Sequence, residues 1–159
     1  MKNVKLFAIL LIAGFIISCS GDDNANNSSN TLPIELIITG NQTLDYKTSN
    51  VTIVVPPMNP NFLISSYMKV GAMNHTFSIT LDSNWMDKTE IDLTRDANKC
   101  TFAYDGGKNG NTYVVIDGKF VVDFLSNTRV KGTVNFTAAK LGSIDTTISV
   151  VNGKIDFSK

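Results

Sequence analysis

Val130-Lys131-Gly132-Thr133-Val134-Asn135-Phe136-Thr137-Ala138 alternates without a break. Val130, Gly132, Val134, Phe136 and Ala138 fall on one side of an extended chain, and Lys131, Thr133, Asn135 and Thr137 on the other. Successive side chains of a strand point to opposite faces, so this period of two marks a strand with one buried and one wet face. Upstream, Lys119-Phe120-Val121-Val122-Asp123-Phe124 alternates in the same way, with Phe120, Val122 and Phe124 expected inward. Further strands are expected at Ile34–Ile38, Val51–Val55, Thr76–Leu81, Glu90–Leu93, Cys100–Tyr104, Thr112–Ile116, Thr146–Val151 and Lys154–Phe157, while Phe62–Val70 suits a strand or a short helix. Asp117-Gly118 and Asn152-Gly153 each separate two apolar runs and supply the positive φ of a tight hairpin. Asp105-Gly106-Gly107-Lys108-Asn109-Gly110-Asn111 reads as a longer, flexible hairpin loop. Pro56, Pro57 and Pro60 interrupt the chain and predict a crossover. The expectation is an all-β domain, an antiparallel sandwich or barrel of about eight to ten short strands.

The first residues belong to a different regime. Lys2 and Lys5 precede an apolar run from Leu6 to Ile17, which fits a signal segment and is too short to span a bilayer as a helix. Residues 1–18 are therefore read as a signal peptide. Residues 19–31 follow, and after the cysteine they are rich in Asn, Ser and Asp, with nothing large and apolar to bury, so they read as a disordered tether. Fully extended, such a tether reaches roughly 40 Å at about 3.4 Å per residue. Residues 32–159 form the single β domain. Loss of Lys2 and Lys5 leaves 12 basic against 14 acidic residues. That balance excludes a phosphate-tracking nucleic-acid binder and a polybasic membrane patch.

Ile16-Ile17-Ser18-Cys19 resembles the lipobox of bacterial lipoproteins. The resemblance implies cleavage between Ser18 and Cys19, a diacylglyceryl group on the Cys19 thiol, and acylation of the new amino terminus. One chain gives reversible membrane binding, whereas several hold a protein firmly. Cys19-Ser20-Gly21-Asp22-Asp23 resembles the start of Bacteroidota lipoproteins, in which acids after the cysteine direct export to the cell surface. The expected address is the outer membrane, at the surface or facing the periplasm. Val130–Ala138, followed by Val151-Asn152-Gly153-Lys154-Ile155-Asp156-Phe157, resembles the C-terminal strand and Asn-Gly hairpin of small Bacteroidota lipoproteins. In this chain Val134 and Ile155 stand where that family has Phe. The likeness implies fold and address, and no activity.

With Cys19 lipidated, Cys100 has no partner for a disulfide and reads as a small buried hydrophobe. His75 is the single histidine, at the start of a strand, with no nucleophile pattern around it. Asp82, Asp87, Glu90, Asp92 and Asp96 cluster around Trp85. They form either a solvated edge or, through Asp82 and Glu90, a carboxylate pair for glycan hydrolysis. Trp85, Tyr67, Tyr104 and Tyr113 are the aromatic candidates for ligand contact, against core packing as the alternative. Asp105, Asn109 and Asn111 carry oxygens suited to calcium but lack the EF-hand pattern. The Asn-x-Thr triplets at Asn41, Asn50, Asn74 and Asn135 carry no weight in a bacterial chain, and Asp145-Thr146-Thr147 resembles a Bacteroidota O-glycosylation acceptor. No catalytic residue, metal site or cofactor is expected. The functional expectation is a binding or structural module recognising a glycan or a protein, with a hydrolase or an accessory or inhibitor subunit as alternatives.

Overall fold

A computed structural model describes residues 31–55, 61–94 and 98–159. Ser18, Cys19, the tether up to Asn30, Pro56, Pro57, Pro60 and Asp96 lie outside them. Thr31–Lys159 make one compact unit. Its elements are β1 (Ile34–Thr39), β2 (Leu44–Thr48), β3 (Val51–Val54), β4 (Phe62–Val70), β5 (Met73–Leu81), β6 (Glu90–Asp92), β7 (Lys99–Ala103), a 3-10 helix (Tyr104–Gly110), β8 (Thr112–Leu125), β9 (Arg129–Lys140) and β10 (Ser143–Ser158). The fold is all-β. One antiparallel sheet runs in the order β2-β1-β10-β9-β8-β7-β5-β4-β3, and β6 pairs with the second half of β8.

The sheet curls into a nearly closed barrel. Phe77 of β5 stacks on Phe136 of β9, rings 6.1 Å apart and nearly parallel. Those strands are not neighbours, so the contact runs through the interior. Tyr46 of β2 packs edge-on against Phe77 and Phe102. Closure between β2 and β4 uses side chains instead of a backbone ladder. The Ser66 hydroxyl donates to the Phe77 carbonyl, which leaves it to accept from the Tyr46 hydroxyl at 2.9 Å. Thr48 Oγ1 donates to the Tyr67 carbonyl at 2.6 Å. A buried hydroxyl must keep such partners. Burial pushes the Tyr46 phenol up to about 12, against the lowering effect of its Ser66 bond.

Val130, Gly132, Val134, Phe136 and Ala138 all turn inward on β9, as their alternation requires. Phe62–Val70 is a strand, paired with both β3 and β5. Four expectations need correction. Asp117-Gly118 and Asn152-Gly153 are not hairpin turns: each lies inside one long strand, β8 or β10. The register slips between Val115 and Asp117 and between Val150 and Gly153, so both dipeptides mark bulges. A bulge inserts extra residues without ending the strand. Gly118 is needed there because a Cβ would sit 2.5 Å from Phe136 Cβ and 2.6 Å from the Asn135 carbonyl. At Gly153 the core packs close, and a Cβ would crowd the side chains of Leu36, Val150 and Val134. The C-terminal segment Val151–Phe157 is therefore one arm of β10 and forms no hairpin.

Phe124 is not inward either. A further slip between Val122 and Phe124 resets the alternation, leaving Phe124 48% exposed under the Arg129 guanidinium while Leu125 packs on the core. Asp105–Asn111 does connect a hairpin, since β7 and β8 pair antiparallel across it, but most of it is ordered in the 3-10 helix Tyr104–Gly110 instead of a flexible loop. The prolines mark no crossover, since β3 and β4 are hydrogen-bonded neighbours.

Candidate ligand-binding site

The four aromatic candidates separate. Trp85 is 3% exposed, its ring 4.8 Å from Phe62, so the indole closes the core. It borders a shallow depression beside Met86 and Asp87. Tyr67 is half exposed on β4, away from the cavities described below. Tyr104 and Tyr113 come together, edge to face at 5.7 Å, at the end of the barrel where β7 and β9 finish and β8 and β10 begin.

Local structure explains that meeting. The 3-10 helix lifts the chain off β7 and returns it to β8, closed by Tyr104 N–H donating to the Asn111 carbonyl at 3.0 Å. Tyr113 then stands opposite Phe102 and Lys140 in the sheet register. His75 braces the arrangement from below. It is buried, its ring lies edge-on to Tyr104 at 5.5 Å, and its Nδ1 accepts the Asp105 N–H at 3.4 Å. Burial holds the imidazole below its ordinary pKa, against the opposing pull of Asp105. With Nδ1 bonded to a backbone amide, His75 supports Tyr104 and has no nucleophile attached among the described residues.

These elements enclose a cavity of about 320 Å³. Tyr104, Tyr113 and Ile148 form part of its wall. Asn41 and Gln42 reach it from the turn after β1, Asn111 from the end of the 3-10 helix, and Lys140 and Thr146 from the β9–β10 hairpin. Among the described residues, the side chains of Asn41, Asn111, Lys140 and Thr146 have no hydrogen-bond or ion-pair partner within the protein. The Tyr104 hydroxyl is buried and also has none. Burial raises its pKa, Tyr113 adds to the effect, and the Gln42 amide beside it works the other way without reaching hydrogen-bond geometry. Buried polar atoms are normally paired, so a lone one on a cavity wall calls for a partner from outside the chain. Tyr104 and Tyr113 were legible as contact candidates; the amides, Lys140 and Thr146 were not, because they are distant in sequence and only the register unites them.

A larger open groove of about 580 Å³ lies on the outer face of β6, β8, β9 and β10, where the two bulges flank β9. Glu90 and Asp92 line it together with Asp117; Asp82 and Asp87 do not. Glu90 is paired to Lys119 at 2.9 Å, and Asp92 Oδ1 accepts the Thr94 N–H at 2.9 Å. Asp82 Oδ1 caps its own turn through the Asn84 N–H. Among the described residues, Asp82, Asp87, Glu90 and Asp92 thus do not form one site, and the Asp82–Glu90 pair is not assembled around the groove.

Of the oxygens considered for calcium, the Asn109 side chain lies outside the described residues, and the other two are placed apart in role. Asp105 is 3.5 Å from Lys108, and Asn111 belongs to the end cavity. No group of three metal-binding side chains forms among the described residues. Cys100 is fully buried and free, and burial raises its thiol far above the ordinary value. The Asp145-Thr146-Thr147 segment lies within β10, with Thr146 on the cavity wall. The chain matches no family model, and neither a curated protein nor a solved structure shows significant similarity to it.

Proposed function

We propose that this chain is a lipid-anchored binding module of the outer membrane, displayed on a tether at the cell surface. Its ligand site is the cavity between Tyr104 and Lys140. The observation that carries the binding reading is the buried Tyr104 hydroxyl without a partner, set in a wall of unbonded amide, hydroxyl and ammonium groups. A cavity of this size with a few convergent polar groups is what a small-ligand site requires. The address rests on the lipobox at Ile16–Cys19 and on the Asp22-Asp23 pair after it.

Two measurements test the two halves. A fatty-acid probe fed to expressing cells should label the protein, and Cys19→Ala should abolish both labelling and membrane retention. A parent protein that stays unlabelled, or a Cys19→Ala protein that stays anchored, overturns the address. The lipidated protein, probed on arrays of glycans and short peptides, should retain a ligand that the Lys140→Met and Asn111→Ala variants lose while their Tm stays unchanged. Retention that survives both variants, or no retention at all, overturns the site.

A further inference from the structure

We infer that the end cavity recognises an acidic sugar, a hexuronate residue, through its carboxylate and ring hydroxyls; this rests on the binding reading above. The charge of the wall supplies the first step. Among the described residues, none that lines the cavity is Asp or Glu, and one, Lys140, is a cation with no ion pair. Lys140 is half-buried on the cavity wall, where it supplies the positive charge of the lining. A ligand that enters should bring a negative charge to meet it.

The remaining groups supply the second step. The carboxamides of Asn41, Gln42 and Asn111 each offer both donors and an acceptor, and the Thr146 hydroxyl offers one of each. Such two-way groups match a ring of hydroxyls, which also donate and accept. A simple carboxylic acid would leave most of them unanswered. The Tyr104 hydroxyl needs an acceptor or donor within bonding distance, and a carboxylate oxygen or a sugar hydroxyl provides it. The tyrosines present their edges here, since each is about nine-tenths buried and they lie edge to face. Recognition therefore works through hydrogen bonds and charge, without a sugar stacked flat on an exposed ring. The volume of about 320 Å³ accommodates one sugar unit, with a continuing chain passing out to solvent.

The test is calorimetric titration of the full lipidated protein in detergent with D-galacturonate, D-galactose and acetate. Galacturonate should bind at least tenfold more tightly than galactose, and acetate should not bind measurably. Lys140→Met should remove the preference for galacturonate, Tyr104→Phe should weaken its binding severalfold, and Lys154→Met on the exposed part of β10 should change nothing. Equal binding of galactose and galacturonate, or a preference that survives Lys140→Met, overturns the inference. So does the absence of sugar binding by a folded protein. If the arrays instead reveal a neutral or peptide ligand lost in the cavity variants, the binding module stands and the acidic-sugar assignment falls.

Discussion

At the scale of single residues, burial decides the role of each chemically notable side chain. Trp85 carries the largest apolar surface near the acids, which made it a candidate contact, but it lies under Phe62. Truncating a buried aromatic of this size costs about 3–5 kcal/mol. Trp85→Ala should therefore lower the denaturant midpoint sharply and abolish function only by unfolding. Selective loss of ligand at full stability would place Trp85 in the site. Cys100 should resist a thiol reagent in the native protein and react fully once denatured, because burial favours the neutral thiol. Rapid native-state modification would contradict that. His75 gives a pH signature. Its native pKa lies below the 6.5 of an unfolded histidine, so on acidification the unfolded chain takes up the proton first. The stability held above pH 6.5 should fall as pH drops from there toward the lower native value. His75→Phe should flatten that part of the Tm-against-pH curve; an unchanged slope would assign it to other groups.

At the scale of elements, alternation was legible and strand length was not. The period of two in Val130–Ala138 identified both the strand and its inner face, because a half-buried strand leaves that pattern directly in the residues. The same rule would have found β2, since Leu44, Tyr46 and Thr48 alternate with Asp45 and Lys47. Asn-Gly and Asp-Gly are read as hairpins because they supply positive φ, but a bulge can use the same property. Asn152 has φ 54° inside β10, and its N–H bonds to Asn135 Oδ1 at 2.8 Å. What distinguishes bulge from turn is a third strand, β9, pairing across both sides of the dipeptide, and no local pattern reports that. Gly118 tests this directly. Its missing Cβ makes room for the backbone of β9, which cannot move aside as a flexible side chain could. Gly118→Ala should cost roughly 1–3 kcal/mol in urea denaturation, as overpacking does. A neutral effect would mean that β8 and β9 are not so closely apposed at this level.

At the scale of the whole molecule, the barrel joins ends of strands that are far apart in sequence. Asn41, Tyr104, Asn111, Lys140 and Thr146 meet because β1, the 3-10 helix, β9 and β10 all reach the same rim. That convergence depends on sheet order, and sheet order does not follow from local periodicity. This is why the two tyrosines were visible as candidates and the polar wall around them was not. In the proposed arrangement the lipid on Cys19 and the tether supply the address, while the rim supplies the ligand site. The central physical claim is that the Tyr104 hydroxyl is buried with no partner in the protein and awaits one from a ligand. Deleting a buried hydroxyl that is properly bonded costs about 1 kcal/mol or more, whereas deleting an unsatisfied one is neutral or stabilising. The most direct measurement is the unfolding free energy of Tyr104→Phe without ligand. The account predicts a value equal to the parent's or higher by up to about 1 kcal/mol. A loss of 1 kcal/mol or more would show that the hydroxyl is already satisfied within the fold, and would contradict it.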